Sequence, residues 1–397
     1  MKTAVIGAGI QGTSIALELA SRGIEVDLFD LEDQPLNGSS RHTEGKIHLG
    51  YVYANDPCMA TADLMISGAK VFTPLLRRWV GPDFDQVPVS EHFEYVIHKD
   101  SILSAEALNA AYREIDRRIQ GTDNWNYLGQ RTLQQAVTLP EREWKNRYGS
   151  TVAAVYRTDE RAVDPHALAD LLVKAIANEP RIRFLAGAKV NSIDRDERSL
   201  RTLDQHGSKL IYGPYDHVVN CAWAGRLAID STLGIKPTEP WNFRMKYFLR
   251  LGASAPVAFQ SATIVLGPFG DVVRYGESTY LSWYPAGRRG WTSDIEPPQW
   301  PQPPSEEIAS QIQEGIIAGL STVILGANKV KPSNCEVAGG VIYALGSTEV
   351  DDPESTLHKR SSTGPITMDG WYHSVDTGKY TTAPLFALQT ADRISPL

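Results

Sequence analysis

The residues best placed to do chemistry lie at the start of the chain. Gly7-Ala8-Gly9-Ile10-Gln11-Gly12 is a GxGxxG run, and Asp30 lies 23 residues after Gly7. Gly7 permits a tight turn, Gly9 lets backbone approach a pyrophosphate, and Gly12 lets a helix pack closely on the preceding strand. A carboxylate at Asp30 suits the hydroxyls of an adenosine ribose. Together these residue types suit a dinucleotide. The elements that must position them surround them. Lys2-Thr3-Ala4-Val5-Ile6 is a short apolar run with β-branched residues and reads as a buried strand. Residues 13–22 read as a helix, with Ile10, Ser14, Leu17 and Ser21 along one face and Gly23 as its stop. Residues 24–29 alternate as a second strand. The helix N-terminus offers free N–H groups and a positive dipole end to phosphates.

Beyond Asp30 the pattern of a second crossover helix is missing. A polar loop, 31–38, leads into Ser39-Ser40-Arg41-His42-Thr43-Glu44-Gly45-Lys46-Ile47-His48-Leu49-Gly50-Tyr51. Its small donors (Ser39, Ser40, Thr43, Gly45) and bases (Arg41, His42) suit a loop that wraps a pyrophosphate from its other side and passes close to a planar ring. The alternative is a solvated surface loop. The run SSRHTEGKIHLGYVY resembles the second flavin-binding segment of the D-amino acid oxidase-like flavoprotein superfamily. It is closest to the L-2-hydroxyglutarate dehydrogenase and glycerol-3-phosphate dehydrogenase branches, with Ile47-His48-Leu49-Gly50 matching the segment beside the isoalloxazine. The resemblance implies FAD, rather than NAD, as the dinucleotide. It implies cofactor contacts from Gly7, Gly9, Gly12, Asp30, Ser39, Ser40, Arg41, Thr43, Gly45, Lys46, Ile47 and His48.

Further along, residues 56–80 and 165–178 have helical apolar spacing, and Ser104 reads as the N-cap of a helix to about 120. The charged positions of that helix (Arg113, Glu114, Asp116, Arg117, Arg118) read as a solvated face. Strands are expected at 93–98, 152–156, 184–193 and 209–212. The stretches Ala162-Val163-Asp164-Pro165 and Val218-Val219-Asn220-Cys221-Ala222 are similar to superfamily features that bring the chain back to the cofactor. That adds Val190, Cys221, Ala222 and Gly225 to the candidate contacts. Residues 240–290 are strand-rich and separated by Gly/Pro turns, as for an antiparallel sheet roofing a flavin, with a helix near 305–322. Period 2 puts Arg244, Lys246 and Phe248 on one face of their strand and Phe243, Met245 and Tyr247 on the other. Phe243-Arg244-Met245-Lys246-Tyr247-Phe248 is similar to a strand whose arginine belongs to the substrate cavity in the hydroxyglutarate branch; from charge pattern alone, Arg244 and Lys246 equally fit a solvent-facing edge.

In the last segment Arg360 sits where the superfamily carries an arginine near the reactive edge of the flavin. Gly378, Lys379, Tyr380 and Thr381 precede a helix over 384–394, whose N-terminus suits the flavin O2 side. Here the chain departs from both the Gly-His-x-x-x-Gly and the Ser-Pro-x-x-x-Ala patterns, and Lys379 brings a positive charge to that position.

The fold class expected is α/β: an FAD-binding Rossmann-like domain with a parallel sheet, built from residues 1–82, 151–238 and 338–397. A substrate domain with an antiparallel sheet, residues 83–150 and 239–337, is inserted into it. The 397 residues carry a formal charge of −8 and show no basic stripe for nucleic acid. No apolar run is long enough to span a membrane. Three isolated cysteines, Cys58, Cys221 and Cys335, read as reduced thiols of a cytoplasmic protein, with no metal site or bridge.

The function expected is oxidation of a CH–OH group, in a small 2-hydroxy acid or sugar-like alcohol, by hydride transfer to flavin N5. His48 is the candidate base, with packing against the ring or a covalent link to it as its other readings. Arg244 and Arg360 would pair a substrate carboxylate, with Tyr247, Tyr275 or Tyr280 as further donors. His42, Lys46 and Lys379 also fit a larger substrate. Oxidation of an amine or D-amino acid is the alternative in the same chemical class, and a flavin-binding protein without its own turnover is the alternative outside it. The electron acceptor (O2, a quinone or another carrier) stays open.

Overall fold

The computed structural model describes residues 1–204, 206–252 and 259–396. The opening unit is β1 (Lys2–Ile6), α1 (Ile10–Ser21) and β2 (Glu25–Phe29), with β1 and β2 parallel. The helix begins at Ile10 instead of 13, because Gly9 takes extended backbone as its N-cap directly after the turn that Gly7 makes at φ +92°. Two faces of this unit are buried, so its strands read as near-continuous apolar runs.

The unit is the middle of a six-stranded sheet. From one edge its order is Gly364–Met368, Tyr372–Asp376, His217–Asn220, β1, β2 and Ile182–Leu185. Only the first pair is antiparallel; the remaining neighbours are parallel. The sheet therefore collects strands from widely separated parts of the chain. Helix α1 packs against the helix Ala383–Ile394, and Ile15, Leu19, Phe386 and Ala387 are buried in one core.

A second, nine-stranded sheet contains the long strand Trp241–Leu251, paired antiparallel to Cys335–Leu345 along its whole length and also to Arg288–Thr292 and Ser278–Leu281. It continues through Asp271–Tyr275 and Ala262–Val265 to Glu94–His98, and one neighbour pair, Ala262–Val265 with Glu94–His98, is parallel. Helix Glu306–Ser321 covers its far face: Ile312, Ile316 and Leu320 pack with Met245, Tyr247 and Leu249. Arg244, Lys246 and Phe248 thus face the other way, and the strand is interior to the sheet, which removes the solvent-facing edge reading.

Three expectations need correction. The run 184–193 is two strands, Ile182–Leu185 in the six-stranded sheet and Lys189–Asp194 in a separate three-stranded one, with Gly187 at φ +63° turning the chain between them. Val152–Arg157 and residues 338–345, both expected with the nucleotide-binding part, pair with Glu94–His98 and Trp241–Leu251 in the nine-stranded sheet. Asp116 is not on a solvated face: it is buried and accepts hydrogen bonds from the Tyr51 hydroxyl (2.6 Å) and the Ala136 N–H (3.1 Å). The Ser104 cap is as expected, its hydroxyl accepting the Ala107 N–H at 3.2 Å.

Candidate active site between the two sheets

One cavity of about 400 Å³ joins the C-terminal ends of β1 and β2 to the inner face of the nine-stranded sheet. Gly7, Gly9, Asp30, Ser39, Ser40 and Thr43 line it, as do Val190, Cys221, Ala222 and Gly225. Lys46, His48, Arg360, Gly378, Lys379 and Tyr380 line it as well. Six of the expected residues do not. Gly12 lies behind the loop, under the Gly7 carbonyl, and Gly45 lies against the Val163 carbonyl. Ile47 is fully buried core. Thr381 is buried and holds the His48 backbone through a hydrogen bond, while Arg41 turns away to an ion pair with Asp170 at 2.7 Å. Arg244 is the sixth: it donates to the Tyr284 hydroxyl at 2.8 Å and lies near the Tyr284 and Trp291 rings. Of the further tyrosines, Tyr280 lines the cavity. Tyr247 donates to the Pro301 carbonyl on the opposite face, and Tyr275 donates to the Glu44 carbonyl.

The dinucleotide end is built from backbone. A Cβ on Gly7 would lie 2.6 Å from the Cys221 carbonyl oxygen, so the loop and the Asn220–Ala222 segment touch without side chains between them. Gly9 supplies no side-chain cap, and the Ile10 N–H at the start of α1 is met by the Ser40 hydroxyl at 2.8 Å. Asp30 closes this end, accepting from the Ala8 and Glu32 N–H groups; burial raises its pKa against those bonds. A glycine cradle, a helix N-terminus and a carboxylate in one slot fit the pyrophosphate and ribose of FAD.

The other end carries the titratable groups. His48 is held by a two-residue strand, Lys46–Ile47, paired with Arg161–Ala162. Gly45 makes that pairing possible at φ +62°, since a Cβ there would lie 2.1 Å from the Val163 oxygen. The Thr381 hydroxyl accepts the His48 N–H at 2.8 Å, and the Tyr127 hydroxyl donates to the Ile47 carbonyl at 2.6 Å. His48 is 3 % exposed; its Nδ1 lies 3.5 Å from a Glu160 carboxylate oxygen, and its Nε2 has no hydrogen-bond partner among the described residues. Burial lowers its pKa, with Lys379 and Lys46 acting the same way and Glu160 opposing them, so the ring is neutral at pH 7.

Cations dominate this end. Lys46 pairs with Asp271 at 2.9 Å and also reaches the Thr263 hydroxyl. Burial works against the Glu44 carboxylate, yet Lys379, Lys246 and Lys46 outweigh it and hold its pKa below the ordinary range. Burial pushes Lys379 down to about 8, helped by Arg360, Lys246 and Lys46 and opposed by Glu44. The Arg360 guanidinium donates to the Leu357 and Lys359 carbonyls at 2.5 and 2.7 Å, while its Nε has no partner among the described residues. Phe248 and Tyr280 stack at 4.5 Å as an aromatic wall.

Sequence reasoning passes over Glu44, Lys246, Trp223 and Glu160 as site residues. Lys246 has a signal, its period-2 phase with Phe248. Glu160 has one too, an acid directly before Arg161-Ala162-Val163-Asp164-Pro165. Trp223, a cavity residue at φ +49° whose indole donates to the Val341 carbonyl at 2.7 Å, has none.

Among the described residues, no helix is long and apolar enough to cross a membrane. Comparison with solved structures returns glycine oxidase from Geobacillus kaustophilus, with TM-score 0.70 and 14% identity over 99% of this chain and 94% of that one. Iminodiacetate oxidase (IdaA) from Chelativorans sp. BNC1 superposes with TM-score 0.65 and 16% identity, over 99% of this chain and 95% of that one. L-alpha-glycerophosphate oxidase from Mycoplasma pneumoniae, solved with FAD bound, superposes with TM-score 0.66 and 12% identity, over 99% and 94%. At these identities the likeness is one of fold. No curated protein sequence matches the chain significantly. The family model for FAD dependent oxidoreductase (DAO) matches residues 2–319. With most of the chain matched and the cradle of the cofactor in place, this protein belongs to the DAO family of FAD-dependent oxidoreductases.

Proposed function

We propose that the chain oxidises a CH–OH group of a small anionic substrate, with His48 as the base. The observation that carries this reading is His48 itself: a neutral imidazole in the cavity wall, with Glu160 3.5 Å from Nδ1 and no hydrogen-bond partner on Nε2 among the described residues. A carbinol hydroxyl does not ionise at neutral pH, so its proton needs an acceptor as the carbon gives up hydride. A free amine needs no such group. Bound FAD supplies the two-electron acceptor for that hydride.

The chain's own residues do the rest. Arg360, with an unpartnered Nε, suits a substrate carboxylate, which pairs best with a guanidinium. Lys246 and Lys379 line the same cavity and add positive charge, which favours an anion. Phe248 and Tyr280 keep water from the reacting carbon. His48 takes the hydroxyl proton. Arg244 reaches the substrate only through its neighbour Arg360, so its role is to set the field around that guanidinium. The cavity-lining residues from Gly7 to Gly225 would hold the dinucleotide. The division into a cofactor part and a substrate part, with Val152–Arg157 and residues 338–345 moved to the latter, belongs to the same proposal.

A second reading, amine oxidation, is favoured by the glycine oxidase and iminodiacetate oxidase among the structures of the same fold. The test is anaerobic bleaching of the bound flavin by a panel of 2-hydroxy acids, glycerol 3-phosphate and D-amino acids. Bleaching by a hydroxy compound, lost in His48→Gln, supports the proposal. Bleaching by an amino acid alone replaces it with the second reading, and a flavin that no member bleaches refutes turnover of small acids altogether.

A further inference from the structure

We propose that Glu160 is a positioning residue for His48, holding the imidazole in the tautomer that carries hydrogen on Nδ1 and leaves Nε2 to accept the substrate proton. The inference rests on the reading of His48 as the base.

Glu160 is fully buried between the strands Val152–Arg157 and Arg161–Ala162, and a carboxylate in such a place must have its charge answered. One oxygen accepts the Leu49 N–H at 2.6 Å. The other accepts the Tyr95 hydroxyl and lies 3.5 Å from His48 Nδ1. Backbone fixes the acid from both sides: the Phe93 N–H donates to the Glu160 carbonyl at 3.0 Å, and the Glu160 N–H donates to the Thr158 hydroxyl at 3.3 Å. Because Leu49 is the next residue after His48, the acid that takes the Leu49 N–H is locked to the histidine's own backbone. That bond fixes the carboxylate relative to the backbone from which the imidazole projects.

The arrangement sets the proton inventory. An ionised carboxylate only accepts, so the ring nitrogen facing it is the one that bears hydrogen, and the far nitrogen keeps its lone pair. When His48 takes the hydroxyl proton it becomes a cation, and Glu160 is the anion on its other side. Burial works to raise the Glu160 pKa, but His48, Lys46 and Tyr95 outweigh it, so the acid is ionised and ready for that role. Lys46 and Lys379, on the cavity side, oppose a positive His48, which makes the carboxylate behind it more important.

The first test needs no substitution. In the holoenzyme, 15N resonances of the His48 ring report the tautomer: hydrogen on Nδ1 is expected, and hydrogen on Nε2 overturns the proposal. The second test is Glu160→Gln, which keeps an acceptor and removes the charge. It is expected to lower kcat by about a hundredfold with KM little changed, and to move the acid limb of the kcat profile to lower pH, because the ring has lost the charge that raised its pKa. Glu160→Asp, which retains the charge, keeps the limb near its original place and serves if the glutamine variant does not fold. An unmoved limb and an unchanged tautomer in Glu160→Gln would reduce Glu160 to a structural acid. In a His48→Gln background, Glu160→Gln is expected to cause no further loss of kcat; a further loss of the same size also overturns the proposal. If His48→Gln alone keeps full activity, the base reading itself fails, which is a different result from a dead His48→Gln with an unaffected Glu160→Gln.

Discussion

Replacing Gly12 by alanine tests the cofactor cradle with one methyl group. The new Cβ would lie 1.8 Å from the Gly7 carbonyl oxygen and 3.3 Å from a Val5 methyl, and the nearer obstacle is backbone that cannot rotate aside. Bringing that contact to an ordinary 3.4 Å moves the start of α1 away from β1 by about 1.6 Å. The shift carries the Ile10 N–H off the Ser40 hydroxyl and opens the loop that faces the pyrophosphate. Overpacking of this kind costs about 2 kcal/mol. If the apoprotein relaxes and the holoprotein must restore the cradle, FAD binds about thirtyfold more weakly. The assay is titration of the apoprotein with FAD, read by quenching of flavin fluorescence, beside thermal unfolding of the apo form. Gly23→Ala is the control: at φ +79° with no described atom within 4 Å of its Cβ, it carries about 1 kcal/mol of backbone strain and touches no ligand. A Gly12→Ala protein with the wild-type FAD affinity would refute the assignment of this loop as the phosphate cradle.

Four further outcomes rest on the same geometry. Since burial holds the His48 pKa below 6.5, the ring is neutral above that value, and the acid limb of kcat should fall below pH 6.5. Lys379 is charged below about 8, so KM for an anionic substrate should rise as pH climbs through that value and the rise should vanish in Lys379→Arg. Asp271→Asn leaves the buried Lys46 ammonium with Thr263 and the Phe93 ring, and should destabilise the fold by about 3 kcal/mol in urea unfolding. Ser104→Ala, outside the cavity lining, removes a helix cap and should cost about 1 kcal/mol without changing kcat.

What could be read from the amino-acid sequence was local. The strand, glycines, helix and acid of residues 2–30 fall within one βαβ unit, and the Ser104 cap and the helix ending at Val80 rest on signals a few residues apart. What could not be read depended on partners far away in the chain. Gly187 splits 182–194 between two sheets because the first half pairs with β2 and the second with residues 199–203. Arg244 faces the right way for its strand, yet Tyr284 and Trp291 capture it before it reaches the cavity. Asp116 has the spacing of a solvated helix face, and only the Tyr51 hydroxyl and the Ala136 amide make it interior. Glu160 is marked by its place directly before Arg161, but its meeting with His48 from a distant stretch of the chain follows from no spacing rule.

The order of strands in the six-stranded sheet also governs how the protein is made. The β1 strand waits for His217–Asn220, which in turn waits for Tyr372–Asp376, and α1 packs on the helix Ala383–Ile394. On a ribosome the glycine loop emerges long before these partners, and β1 has no neighbour but β2 until His217–Asn220 appears. Such non-local pairing carries the cost of closing long loops before it is rewarded, and it folds slowly. The nascent chain therefore exposes an apolar βαβ unit while the intervening residues are synthesised, and loading of the flavin is deferred until the last of these strands and the helix that covers α1 have emerged. Supply of FAD at that moment should raise the yield of native protein, because the ligand stabilises the one state in which all the strands have met.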